Sequence, residues 1–98
     1  MEQNQQQAGQ QLQIKVKDED LKGAYSNMMQ IVHNKEEFFF DFFLNAMPQG
    51  MLASRVIVSP SHAKRIALAL AENVKKYEEK FGPIMQSELP EEKIGFVK

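Results

Sequence analysis

Ser59-Pro60 and Gly82-Pro83 bracket the stretch of this chain that leaves least freedom in what it can become. A serine hydroxyl can accept from the first free amides of a helix, and proline suits the first helical position, where a backbone N–H would go unused. Glycine followed by proline closes such an element, because glycine takes positive φ and proline forbids continuation. Between them Ala63, Ile66, Ala67, Leu70, Val74, Tyr77 and Phe81 recur at the spacing of a helix buried along one stripe. A long amphipathic helix is therefore predicted over 60–81. Its opposite face carries Lys64, Arg65, Glu72, Lys75, Lys76, Glu79 and Lys80, which read as a solvated face.

Upstream the period changes from that of a helix to that of strands. Leu12, Ile14 and Val16 alternate with Gln13, Lys15 and Lys17, which predicts a first strand at a sheet edge, followed by a turn at Asp18-Glu19-Asp20 and Gly23. A second strand is expected over 24–33 and a third over 36–45, joined by the polar run His33-Asn34-Lys35-Glu36. Met47-Pro48-Gln49-Gly50 reads as a further turn leading into a fourth strand over 52–58. The expected fold is α+β: an antiparallel meander of about four strands, then one long helix packed on one sheet face. The domain is placed at 12–82, with a disordered polar leader over 1–11 and a flexible tail over 83–98.

Register predicts which side chains share a face. Pairing the last two strands about Pro48 sets Phe38 opposite Val58, Phe40 opposite Val56, Phe42 opposite Ser54 and Leu44 opposite Leu52. A hairpin centred between Asn34 and Lys35 adds Met29 and Ile31 to that side, which is expected to hold the helix. The other side collects Met28, Val32, Phe39, Phe43, Ala53 and Ile57, with Asp41 opposite Arg55 as an ion pair that fixes register. Six apolar side chains on a second face are too many for open water, so this face is the candidate interaction surface. A second copy of the chain or a polypeptide client are the expected occupants.

Composition narrows function mainly by exclusion. The chain has 98 residues, of which 43% are hydrophobic and 26% charged, an ordinary globular balance. A net charge of -1 removes the global attraction that drives non-specific nucleic-acid binding, and acidic neighbours dilute the one basic stripe, Lys64, Arg65, Lys75, Lys76 and Lys80. Without cysteine there is no disulfide framework, thiolate metal site or cysteine nucleophile. No secretory signal or membrane-length apolar run is visible, so a cytoplasmic location with no membrane partner is expected.

No chemistry-bearing constellation emerges either. His33 and His62 stand apart, at a turn and in the first turn of the helix, without further ligands at metal spacing. Ser59 and Ser61 lie near His62, but no glycine-flanked elbow surrounds them, and capping explains Ser59. Asp18, Glu19 and Asp20 are adjacent rather than facing, and the glycines are too scattered to cradle phosphate. The reading is of a non-enzymatic protein with no cofactor and no metal.

Three blocks carry a family resemblance: His33-Asn34-Lys35-Glu36-Glu37-Phe38-Phe39-Phe40-Asp41-Phe42-Phe43, then Ser54-Arg55-Val56-Ile57-Val58-Ser59-Pro60-Ser61-His62-Ala63-Lys64-Arg65, then Glu72-Asn73-Val74-Lys75-Lys76-Tyr77-Glu78-Glu79-Lys80-Phe81-Gly82. Over roughly Ile14 to Gly82 the chain resembles the small bacterial proteins of domain-of-unknown-function family 3467. That resemblance implies no activity and no functional residues. The meander-then-helix order is also similar to the protomer of SecB-like export chaperones, which assemble and hold unfolded chains on apolar grooves. That is an analogy of fold; with the second apolar face it leads to the expectation of a homo-oligomeric, chaperone-like interaction module, and the alternative is a small nucleic-acid-associated protein using the lysine stripe of the helix.

Overall fold

A computed structural model of the chain describes residues 11–46, 48–87 and 94–98. The predicted leader, apart from Gln11, lies outside the described residues, as do Met47 of the predicted turn and residues 88–93 of the predicted tail. The elements are helix α1 (Asp18–Lys22), strands β1 (Met28–His33), β2 (Phe38–Ala46) and β3 (Gln49–Val58), and helix α2 (Pro60–Phe81). The three strands form one antiparallel sheet in sequence order, a meander with β2 in the middle, and the long helix follows it. The chain divides into two compact units, 1–32 with 39–57 and 33–38 with 58–98.

In the first unit the predicted edge strand is absent. Residues 12–17 form no strand, and Leu12, Ile14 and Val16 are exposed. Alternation describes a strand only where a neighbouring ladder accepts its backbone groups. The acidic run beyond it starts a helix rather than a turn, since carboxylates at 18–20 favour an N-terminal turn and Lys22 favours the C-terminal one. The Lys17 amide donates to the Asp20 carboxylate at 3.1 Å, and Gly23, at φ 76°, ends α1.

Strand β1 begins at Met28, later than the expected start at residue 24. Just before it the Asn27 amide still donates to the Phe43 carbonyl at 3.1 Å, and side chains add to that bond. The Asn27 carboxamide takes the Asn45 amide at 2.8 Å and donates to the Asn45 carbonyl at 3.0 Å, a side chain standing in for a peptide. The Ser26 hydroxyl donates toward the Phe43 carbonyl at 3.0 Å.

Strand β2 takes its residue types from what a central strand needs. Aromatic side chains suit a pleated surface flanked on both sides. Phe40, Asp41 and Phe43, the buried residues of this unit, all lie on β2. Strand β3 starts at Gln49, so Gly50 sits in the strand and needs no positive φ. The sequence had assigned it to a turn that required glycine.

In the second unit the hairpin tip closes around Asn34. Its side-chain oxygen accepts the amides of Glu36 and Glu37, each at 2.8 Å, and its own amide donates to the Glu37 carbonyl at 3.0 Å. The His33 and Phe38 rings stack across the turn at 5.0 Å. This centres the turn between Lys35 and Glu36, one position later than expected, and leaves the division of the strands into two faces unchanged.

Helix α2 has the predicted ends. The Ser59 hydroxyl accepts the His62 amide at 3.2 Å, Pro60 is the first helical residue, and the Gly82 amide donates to the Glu78 carbonyl at 2.9 Å. Gly82 adopts φ 97° and ψ 168°, which is not the left-handed helical cap expected but an extended mirror conformation open essentially to glycine alone. The two glycines therefore diverge as test sites. Replacing Gly82 with alanine is expected to destabilise the protein by about 1–3 kcal/mol. Gly50→Ala, whose new Cβ would meet only the Leu44 carbonyl oxygen at 3.6 Å, is expected to be neutral or stabilising. Urea unfolding of both variants checks the contrast.

Candidate interaction surface

The second sheet face is organised by one ion pair. Arg55 on β3 reaches across to Asp41 on β2 with Nε at 2.6 Å from Oδ1 and Nη2 at 2.8 Å from Oδ2, a bidentate fork. Asp41 is completely buried, whereas the Arg55 side chain stays 43% exposed. The Arg55 guanidinium also lies over the Phe39 ring, 5.9 Å from its centre. Phe39, Asp41 and Arg55 therefore share one face, as pairing about Pro48 requires.

The hydrogen bonds from Arg55 hold the Asp41 carboxyl below its ordinary value, against the upward push of burial, and Arg55 is correspondingly raised. A carboxylate taken wholly out of water is sustained by its partner, and removing that partner strands the charge. The register pair is thus more than a weakly contributing surface contact.

The six apolar residues assigned to this face differ in exposure. Phe43 is buried at 5% exposure, and Phe39, Met28 and Ala53 are half-buried, while Val32 and Ile57 are exposed. Accessible apolar surface therefore sits on the outer strands and not on the central phenylalanines. Phe43 is enclosed on the central strand.

The opposite face shows the same distribution. Phe40 is buried, yet Met29 and Ile31 on β1 and Leu52 and Val56 on β3 are exposed. Both outer strands present apolar side chains on both sides, and among the described residues no further strand pairs with their outer edges. Aspartate inside the phenylalanine run was the one sequence signal that pointed to the buried pair.

The remaining polar residues do not converge. His33 stacks on Phe38, and His62 lies 3.4 Å from an Arg65 guanidinium nitrogen in the first turns of α2. Ser59 caps the helix, and Ser61 accepts from Arg65 at 3.0 Å. Among the described residues no group of three or more histidine and acidic side chains could hold a metal ion. No helix among them is long and apolar enough to cross a membrane.

A family model described as a protein of unknown function, DUF3467, matches residues 1–86. The chain belongs to this family. The match extends beyond both ends of the 14–82 region that carried the resemblance in the sequence. No curated protein matches the chain, and no solved structure matches it either, so the analogy with SecB-like protomers has no structural neighbour behind it. Family membership supplies a fold relationship here and no chemistry.

The Asp41–Arg55 pair gives a pH test with a definite sign. The folded pKa of Asp41 lies below its unfolded value of about 4, so its contribution is fully present above about pH 4 and is lost as pH falls through the lower folded value. Asp41→Asn is expected to be markedly less stable than the parent at pH 7, with the difference narrowing below about pH 4. Denaturant unfolding of both chains from pH 7 to pH 2.5 measures it, and a constant difference would remove the pair from its assigned role.

Proposed function

We propose that this protein is a non-enzymatic, homo-oligomeric interaction module that holds polypeptide in a chaperone-like way on the outer strands of its sheet. The observation that carries the reading is the exposure of Met29, Ile31 and Val32 on β1 and of Leu52, Val56 and Ile57 on β3. Apolar patches of this kind on a small protein mark surfaces that meet other chains. An extended segment can add to an open strand edge through its backbone, with alternate side chains seated on each face. Backbone recognition of that sort is tolerant of sequence, which suits a holder of unfolded chains.

Nothing in the polar residues competes with this reading. Among the described residues His33 stacks on Phe38, Ser59 caps α2, and Ser61 and His62 lie beside Arg65.

Two measurements test the proposal. Light scattering at two concentrations is expected to give a mass above that of one chain. Fluorescence anisotropy with a labelled, permanently unfolded polypeptide is expected to show binding that falls at least tenfold in Val32→Glu/Ile57→Glu. Both residues are exposed, so circular dichroism of the variant should match the parent. Unchanged binding by a folded variant would overturn the sheet surface as the holding site.

A further inference from the structure

Helix α2 carries a second apolar surface of its own. Its stripe is buried only at the start, at Ala63, and half-buried at Ile66. From Ala67 onward it is open, with Leu70 62%, Val74 38%, Tyr77 50% and Phe81 64% exposed. Ala67, Leu70, Val74, Tyr77 and Phe81 follow one another at alternating steps of three and four, the seven-residue repeat of a helix that pairs along a narrow seam. A helix that only covers a globular core needs a broader stripe with no such strict repeat.

We propose that this seam is where two copies of the chain meet, through an antiparallel pairing of their α2 helices centred between Lys75 and Lys76. The inference rests on the homo-oligomeric part of the reading above and names the surface that performs it.

Side-chain size selects the orientation. A parallel pair in register would place Ala67 on Ala67, leaving a gap, and Tyr77 on Tyr77 and Phe81 on Phe81, crowding the other end. The antiparallel pair places Leu70 against the partner's Phe81 and Val74 against the partner's Tyr77. Every core layer then combines one aliphatic with one aromatic side chain, so the seam fills evenly. The twofold axis repeats each contact, which is the geometry of a closed dimer. The flanking positions bring Asn73 beside the partner's Lys80 and Ala71 beside the partner's Glu78, with no like charges opposed.

The area suits a reversible dimer. At about 200 Å² for a whole aromatic side chain, the open parts of Tyr77 and Phe81 offer roughly 230 Å² per copy. With the open parts of Leu70 and Val74 the seam offers roughly 400 Å² per copy, below the roughly 1,200–2,000 Å² total of stable interfaces and in the range of weak, transient ones.

The full-length chain, its Leu70→Glu/Tyr77→Glu variant and single-cysteine variants test the proposal, because the parent has no cysteine. Light scattering should show the parent above monomer mass, and the double variant, with helix content unchanged by circular dichroism, at half that mass or less. Mixed Asn73→Cys and Lys80→Cys chains should form a crossed disulfide under mild oxidation, while mixed Asn73→Cys and Glu78→Cys chains, neighbours only in a parallel pair, should not. An oligomeric parent with an equally oligomeric double variant overturns the seam and leaves self-association standing elsewhere. A monomeric parent overturns both, and preferential Asn73–Glu78 cross-linking overturns the antiparallel orientation.

Discussion

A carboxylate with no exposure, gripped at both oxygens by an arginine from the next strand, is the constraint around which the sheet is arranged. Asp41 interrupts a run of phenylalanines on the central strand, where an unpaired charge would be prohibitive. Arg55 reaches it because both side chains lie on the same face, and a slip of one residue would send them to opposite faces. The pair therefore decides register, and register decides which phenylalanines are buried. Phe40 and Phe43 are enclosed on their respective faces because β2 holds the middle position, with a strand on either side.

The outer strands inherit the opposite condition. Each has a neighbour on one side only, so their apolar side chains remain accessible on both faces while those of β2 are withdrawn. The same contrast runs along α2, closed at Ala63 and open from Ala67 to Phe81. The sheet and the long helix leave many apolar side chains exposed among the described residues. The proposed association with other chains draws on that exposed apolar surface.

Much of this architecture was legible locally. Ser59, Pro60 and Gly82 mark the ends of α2 through hydrogen bonds and backbone preferences confined to a few adjacent residues, so α2 begins and ends as predicted. The hairpin tip was readable for the same reason, with Asn34 bonding to amides two and three residues ahead. Errors fell where a local pattern fits two outcomes. Leu12, Ile14 and Val16 alternate like a strand, but alternation carries no information about whether a ladder is there to receive it. The start of β1 was misplaced because Ser26 and Asn27 bond to residues 17 and 18 positions away, a diversion that spacing along the chain cannot reveal.

By itself, then, the amino-acid sequence determined the three strands and the long helix, their order and the two faces of the sheet, because periodicity and capping act over a few residues. Family membership was legible for a related reason, being carried by the same blocks of strand and capped helix. Only the tertiary structure decided that Asp41 is wholly buried, that Phe43 is interior while Val32 and Ile57 are accessible, and that the helix stripe is open beyond Ile66. Exposure depends on which other parts of the chain come near, and no pattern along a single strand or helix contains that information.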